Sequence, residues 1–340
     1  MKKYIITFII LVIIGCSKSQ KQLPAGGGEN YVVILQHENE FIDFKNIYGD
    51  IFSQIIYTPQ PEHVIKFRNV SPEKLYRYKL QKNLMIVGTL DKNDPNRDII
   101  KAFLLEDDFK SIKEGTRSVF GFKEPWAREQ YILIIVGRDN EDLKKRLNNN
   151  KIVICNFFAE GIKDRLLKIA TYRGLDKKAI NKMEKYGKFR FSLPAKRYIP
   201  IVVNPKARVI SYITHNPDRM IAIAWRDSIE FPVLDEKTIF EFRNNLFKDF
   251  FQGDSVLLSS YNNRKYSMVN DTVWNDINVV KYKGIWQNDQ ITMGGPFGGY
   301  ALYHNGKMYM IDYNVANPGK DKIPLIFEME ALLSTFKFIE

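Results

Sequence analysis

The chain has 340 residues, of which 45% are hydrophobic, 13% aromatic and 26% charged, with a formal net charge of +12. This composition excludes an intrinsically disordered chain, and the length allows one large domain or two smaller ones. Lysines and arginines are spread along the sequence, so we interpret most of the positive charge as solvated surface. No basic and aromatic module typical of nucleic-acid binding stands out, and no nucleic-acid partner is expected.

The N-terminus has the pattern of an export signal. Two lysines precede an apolar stretch at residues 5–14 that is short for a membrane span, although a plain transmembrane anchor is the alternative. The following Gly15 and Cys16 complete a sequence that resembles a bacterial lipobox. This resemblance implies a signal peptide at residues 1–15 and acyl chains, such as palmitate, on Cys16. Acyl chains of this kind attach a protein stably to a membrane.

The segment that follows is polar. Residues 16–30 include three consecutive glycines and predict a flexible tether. Aspartate at position 17 would favour the inner membrane, so Ser17 favours the outer membrane. The face of the outer membrane on which the protein lies is left open. Once Cys16 is acylated, Cys155 is the remaining cysteine, so no intramolecular disulfide is expected. Cys155 lies in an apolar run and is interpreted as a small core residue.

Strands and helices alternate in the first half, residues 31–187. Short apolar runs predict strands, and apolar residues three and four apart predict helices. The predicted strands are 31–35, 63–70, 84–90 and 131–136. The predicted helices are 38–55, 97–109 and an interrupted helical region from about 140 to 186, which Gly187 ends.

The second half, residues 188–340, is richer in strands. Strands are predicted at 189–193, 209–214, 220–225, 266–270 and 277–286, and helices at 235–251 and 320–336. This interleaving predicts an α+β fold of antiparallel or mixed sheets, with helices packed on one face of each sheet. The similar order of elements also allows two similar halves, although no residue-level repeat supports a duplication.

A β-hairpin is predicted at Asn305-Gly306. The apolar runs YALYH and KMYMI flank this pair, and Asn-Gly provides the positive φ angles that a two-residue turn requires. The turn sets the register, with His304 opposite Lys307 and Leu302 opposite Tyr309.

The stretch MGGPFGG, residues 293–299, precedes this hairpin. Phosphate-binding glycine loops lead into a helix, whereas this stretch leads into a strand, so a nucleotide loop is excluded. We interpret the stretch as a tight turn in which Pro296 fixes φ. A loop that admits a ligand is the alternative.

A family resemblance rests on GIW and MGGPF. The residues that carry it are Gly284, Trp286, Met293, Gly294, Gly295, Pro296, Phe297, Pro318 and Lys322, with fainter similarity at Leu193-Pro194, Arg243 and Gly253. They resemble the C-terminal signature of uncharacterised Gram-negative lipoproteins, the domain of unknown function 4837. The family tends to have Asp and Arg where this chain has Asn244 and Ile323. The resemblance supports lipidation and an envelope location and implies no activity.

Catalytic motifs are weak in this sequence. His37-Glu38 lacks a second histidine four residues on, and Ser71-Pro72-Glu73-Lys74 reads better as a helix start than as an SxxK nucleophile. No catalytic residue, metal or cofactor is assigned. We therefore predict a non-catalytic envelope module that binds another envelope protein or an anionic envelope polymer. A surface near Trp286 and Phe297, with Met293, Gly294, Gly295, Pro296 and Arg243, is the candidate site. The alternative is a lipid-anchored hydrolase of an envelope polymer with a carboxylate pair that the sequence does not locate.

Overall fold

The computed structural model describes residues 22–91, 93–227, 233–250, 254–257, 261 and 263–339. The predicted signal peptide and Cys16 lie outside the described residues. Part of the predicted tether is attached to the body of the protein. The N–H of Ala25 donates to the carbonyl of Arg128 at 2.9 Å, and the N–H of Gly26 donates to that of Leu80 at 2.8 Å. The attached chain therefore begins before residue 31.

The first half contains seven strands and seven helices within the described residues. In chain order they are β1 Tyr31–Leu35, α1 Glu38–Ile51, β2 Ile55–Tyr57, β3 Pro61–His63, β4 Lys66–Val70, a 3₁₀ turn Pro72–Lys74, α2 Leu75–Tyr78, β5 Asn83–Thr89, α3 Arg97–Phe103, α4 Glu106–Glu114, β6 Val119–Lys123, β7 Tyr131–Gly137, α5 Asn140–Asn149, α6 Lys151–Thr171 and α7 Lys177–Gly187. The predicted helix 97–109 is thus two helices, and the predicted helix 38–55 ends early, at Ile51.

The first sheet is mixed, in the order β4-β1-β5-β7-β6 over the described residues. β4, β1, β5 and β7 are parallel, and β6 is antiparallel to β7. All residues of β5 and β7 are buried, as expected for parallel strands that are covered on both faces. Residues of α1, α5 and α6 pack on one face, and residues of α3 and α4 pack on the other. The expectation of helices on one face is therefore wrong for this sheet.

The second half contains the remaining elements of the described chain. They are β8 Phe189–Arg190, β9 Ile199–Asn204, β10 Val209–Thr214, β11 Asp218–Asp227, α8 Glu236–Phe250, β12 Asp254–Val256, β13 Met268–Trp274, β14 Ile277–Asn288, β15 Gly294–His304, β16 Lys307–Ala316, α9 Ile323–Leu333 and β17 Lys337–Phe338. The predicted hairpin register is confirmed, because His304 pairs with Lys307 and Leu302 pairs with Tyr309.

The second sheet is antiparallel and follows the order β12-β14-β15-β16-β11-β10-β9, with β13 also paired to β14. α8 packs on one face of it, and α6, α7 and α9 pack on the other. This sheet is therefore also covered on both faces. The core that contains α6 and α9 joins both halves, since it includes β1, β5 and β7 as well as β10, β11 and β16.

The two halves differ in topology, because the first sheet is mainly parallel and the second is antiparallel. This difference argues against an internal duplication, while the prediction of an α+β fold with mixed and antiparallel sheets is confirmed. No helix in the described part of the chain is both long and apolar enough to cross a membrane.

Candidate functional site

The stretch MGGPFGG lies mostly inside β15, between β14 and β16. A Cβ at Gly299 would lie 1.9 Å from the carbonyl oxygen of Ile311, and one at Gly295 would lie 2.1 Å from that of Val315. Glycine is required at both positions because the backbone of the neighbouring strand comes this close. The interpretation of this stretch as a tight turn is therefore wrong, and it is a strand of the sheet.

Trp286 and Phe297 are core residues. Their exposed fractions are 3% and 1%. Both belong to the core under α8, where the ring of Phe297 meets the ring of Phe240 with 5.5 Å between centroids. Their burial contradicts the prediction of an exposed aromatic surface here, since α8 covers this face of the sheet.

Arg243, on α8, is fully buried and binds Asp312 on β16. Its Nε donates to Oδ2 of Asp312 at 2.9 Å, and its Nη2 donates to Oδ1 at 3.3 Å. The Tyr282 hydroxyl donates a third hydrogen bond to Asp312 at 3.1 Å. The rings of Phe247 and Phe297 flank the guanidinium. Because a buried charge requires a partner of this kind, we interpret Arg243 as holding α8 against the sheet.

A cavity of about 230 Å³ lies where α6, α9, β14, β15 and β16 meet the segment around β2. Its charged lining residues, within the described chain, are four lysines and one carboxylate. They are Lys163, Lys265, Lys281, Lys283 and Glu330. Cavities that combine an apolar lining with a few convergent polar groups are the usual place for a small-molecule site.

Glu330 of α9 is the carboxylate of this cavity. It binds Lys163 of α6 at 2.8 Å and Lys281 of β14 at 2.9 Å. Burial would raise the pKa of Glu330, but the charges and hydrogen bonds of the two lysines together lower this pKa to about 2. Glu330 is therefore ionised at neutral pH, and one negative charge is shared by two ammonium groups.

Lys283 and Lys265 have no ion-pair partner in the part of the chain that the structure describes. Burial lowers the pKa of Lys283, and the positive charge of Lys281 lowers it further. The Nζ of Lys265 lies 4.7 Å from the ring centre of Tyr57 and 5.2 Å from that of Tyr266. The cavity therefore carries more positive than negative charge.

Tyr313 of β16 adds a hydroxyl close to Lys283. Gly298 is the cross-strand partner of Lys283, and a Cβ at Gly298 would lie 2.7 Å from the Tyr313 hydroxyl oxygen. Glycine at this position leaves room for the phenol. Burial raises the pKa of Tyr313 well above 10, so the hydroxyl keeps its proton at neutral pH and is able to donate a hydrogen bond.

The rest of the cavity wall is largely apolar. Its apolar residues are Ile56, Val64, Ala159, Met268, Phe297, Ile323, Ile326 and Phe327. Cys155 also lines the cavity, and burial raises the pKa of its thiol. Cys155 is half-buried and packs against the main core, so it is both a packing residue and a group that reaches the cavity.

The residues that carry the family resemblance divide between this cavity and a second recess of about 440 Å³ beside it. Those that line the second recess are Trp286, Met293, Gly294, Gly295, Pro318 and Lys322. Gly284, Pro296 and Phe297 line the cavity instead. Strands β14 and β15 and the start of α9 thus bring residues that are far apart in sequence to one region of the second sheet.

Residues 210–335 match the model of a family described as Domain of unknown function (DUF4837). This region is similar to that domain. The resemblance noted in the sequence is confirmed for it, and the match assigns no activity. No curated protein matches the chain. The DUF4837 region supplies Lys265, Lys281, Lys283 and Glu330 of the cavity, whereas Lys163 precedes it.

The lysines of the cavity were not selected from the sequence. Lys281 and Lys283 belong to the positive charge that the sequence pattern predicts to be solvated surface. Alternation along β14 places both lysines on the face opposite Tyr282, and α9 covers that face. Two lysines two residues apart, between the apolar pairs Val279-Val280 and Ile285-Trp286, are the signal that could have identified this site.

A separate acidic recess bears on the hydrolase alternative. It lies beyond the ends of β5 and β7, and its carboxylates are Glu40, Asp91, Asp94, Asp139 and Glu141. Burial raises the pKa of Glu40, and the charge of Asp94 raises it further. Both oxygens of Asp94 accept backbone hydrogen bonds, one from the N–H of Thr89 at the end of β5 at 2.5 Å and one from the N–H of Asn96 in the following loop at 2.7 Å. Asp94 therefore serves to shape this loop.

The described residues of the acidic recess also form no metal-binding group. Among the described residues, no group of three or more His, Cys, Asp or Glu side chains is placed to hold a metal ion. With Asp94 committed to its own loop, the recess supports a carboxylate-pair hydrolase less well than the lysine-lined cavity supports binding.

Proposed function

We propose that the protein is a lipid-anchored cell-envelope protein that binds a small anionic ligand with an apolar part in the lysine-lined cavity. The observation that supports this function best is the charge balance of the cavity, in which four lysines face one carboxylate. Two of these lysines already share Glu330, so Lys265 and Lys283 are left for an incoming anion.

The physical chemistry of the cavity favours an anion over a neutral ligand. The half-buried ammonium group of Lys283 has no counter-charge and loses hydration, and an anion that enters the cavity compensates for this loss. Lys265 is exposed and attracts the anion from the rim of the cavity. Attraction between opposite charges is also stronger there than in bulk water. The apolar wall then favours a ligand whose remaining atoms are hydrocarbon.

The size of the cavity limits the ligand. Its volume of about 230 Å³ lies below the roughly 300–1,000 Å³ that is typical of sites for drug-sized molecules. We therefore propose a ligand the size of a short-chain carboxylate, or one such group at the end of a larger envelope molecule.

Calorimetric titration with hexanoate, beside hexanol as a matched neutral probe, tests the binding function. We expect hexanoate to bind more tightly and to lose affinity with added salt. Lys265→Met removes one unpaired cation and should weaken hexanoate binding up to about fivefold, because Lys265 is exposed and an exposed ion pair contributes at most about 1 kcal/mol. Lys101→Met, an exposed substitution on α3, is the matched control.

Glu330→Gln should change the affinity for hexanoate in the opposite direction. It removes the carboxylate that competes for Lys163 and Lys281, so hexanoate should bind more tightly to this variant than to the wild type. Equal binding of hexanoate and hexanol, with no response to either substitution, would contradict an anion site.

The envelope location rests on the signal sequence and on Cys16, and it has its own experiment. Cys16→Ser should abolish incorporation of an alkyne-bearing fatty acid and release the protein from the membrane fraction of its host. Cys155→Ser should change neither result, because Cys155 lies in the folded region. Retention of the Cys16→Ser protein in the membrane fraction, without acylation, would instead favour the transmembrane-anchor alternative.

A further inference from the structure

The amine of Lys283 differs from the other ammonium groups of the cavity. Lys163 and Lys281 bind Glu330, and Lys265 lies over two tyrosine rings. Lys283 has no such partner in the described chain, although it lines the cavity. Its backbone is held on both sides, since it is paired with Met268 of β13 and with Gly298 of β15.

The surroundings of Lys283 make its neutral form more accessible. The groups that face it across the cavity are Lys281 of its own strand, Glu330 of α9, Lys163 of α6, Tyr313 of β16, and Tyr57, Lys265 and Tyr266 at the cavity rim. On its other side an adjoining recess contains Asp235, Glu236, Arg264 and Asp271. Burial and the charge of Lys281 both lower the pKa of Lys283, and Glu330 opposes them only in part. A neutral lysine amine is a nucleophile, and desolvation beside a second cation is a known way to produce one.

We propose that Lys283 captures its ligand reversibly through an imine, and that the ligand is a small anionic aldehyde or ketone. This inference rests on the proposed function, because Lys265 is the cation left to hold the anionic group of the same ligand. The unpaired amine, the phenol beside it and the enclosed cavity are the three features that carry it.

The chemistry balances without any oxidant or reductant. The nitrogen lone pair of Lys283 attacks the carbonyl carbon and forms a C–N bond, while the C=O π electrons move to oxygen, which takes a proton. The nitrogen then gives up a proton to solvent, which replaces the one that the oxygen took. The hydroxyl oxygen takes a second proton from solvent, the C–O bond breaks as water leaves, and the nitrogen lone pair forms the C=N bond of a protonated imine. The Tyr313 hydroxyl lines the same cavity and is the donor that we assign to this oxygen, and it recovers its proton from water. Hydrolysis reverses the sequence and releases the ligand.

Reductive trapping with two matched probes tests this proposal. Glyoxylate is a small anionic aldehyde, and glycolaldehyde is its neutral counterpart of similar size. Each is added below the protein concentration with cyanoborohydride, which reduces an imine to a stable secondary amine, and the modified lysines are located by peptide mass spectrometry. We expect glyoxylate to modify Lys283 in clear preference to exposed Lys101, because a lowered pKa leaves a larger fraction of the Lys283 amine neutral.

Two further readouts separate a reactive amine from one that is merely accessible. The rate of Lys283 modification should reach half its maximum at a lower pH than that of Lys101. Lys283→Arg keeps the positive charge and should abolish the dominant modification while hexanoate still binds. Equal modification of Lys283 and Lys101 in the wild type, with equal pH midpoints, would overturn the proposal whether or not the variant folds.

The experiments distinguish an error in the proposed imine formation from an error in the proposed anion site. Hexanoate binding without selective modification of Lys283 overturns the imine and leaves the anion site standing. Selective modification of Lys283 by glycolaldehyde as readily as by glyoxylate supports the imine and overturns the anionic part of the ligand.

Discussion

Replacement of Glu330 by glutamine tests the electrostatic account of the cavity most directly. The Glu330 side chain is 12% exposed and binds two lysines at 2.8 and 2.9 Å. Against the opposing effect of burial, these lysines lower the pKa of Glu330 from an ordinary value of 4.5 to about 2. A fall of this size corresponds to roughly 3 kcal/mol of folding free energy at neutral pH.

The sign of the pH dependence follows from the direction of the shift. Because folding depresses the pKa of Glu330, its contribution to stability is complete well above the unfolded pKa of 4.5 and is lost as the pH falls toward 2. We expect Glu330→Gln to be about 3 kcal/mol less stable than the wild type at pH 7, and about 2 kcal/mol less stable at pH 3.5. Urea denaturation at several pH values measures both differences.

Glu160→Gln is the matched control for this experiment. Glu160 is an exposed residue of α6, and its substitution should change the free energy of unfolding by no more than about 0.5 kcal/mol at any pH. If Glu330→Gln were as stable as this control at pH 7, or if its deficit stayed constant between pH 7 and pH 3.5, the reasoning about the shared carboxylate would be refuted.

Three other substitutions or reactions test the structure. Arg243→Met should destabilise the protein by about 3–5 kcal/mol in urea denaturation, because it leaves the Asp312 carboxylate buried without its partner. Arg243→Met combined with Asp312→Leu should destabilise it less, and an equal loss of stability would contradict the pairing. Gly299→Ala should prevent folding or lower the free energy of unfolding by more than about 4 kcal/mol, as followed by circular dichroism, since its Cβ would overlap a neighbouring backbone oxygen. Gly26→Ala, with open space around it, should be tolerated. Cys155 should react slowly with iodoacetamide because burial raises its thiol pKa, and hexanoate should slow this reaction further. A reaction rate that hexanoate leaves unchanged would place the ligand elsewhere.

Local patterns in the sequence were sufficient for much of the secondary structure. The Asn305-Gly306 turn fixed the register of β15 and β16, since a two-residue turn leaves one pairing for the strands that it joins. Helix α8 and strands β5, β7 and β10 also lie where apolar spacing predicts them. These features depend on neighbours within a few residues, so the information is local.

The direction of the strands and the number of covered faces were not predictable in this way. The short apolar runs of β1, β5 and β7 fit a buried strand of either direction, and only their pairing shows that they are parallel. The same limit applies to Trp286 and Phe297, because α8, more than thirty residues away in sequence, is what buries them.

The candidate site depended most on long-range packing. Its charged residues lie at positions 163, 265, 281, 283 and 330, and no spacing rule connects them. α6 and α9 meet over the antiparallel sheet, and this contact turns a basic pair in β14 from apparent surface into the wall of a cavity. The predicted lipidation at Cys16 is the opposite case, since the residues next to Cys16 in the sequence alone carry that prediction. Charge balance in a cavity instead arises from distances between residues far apart in the chain, and those distances exist only once both sheets are packed.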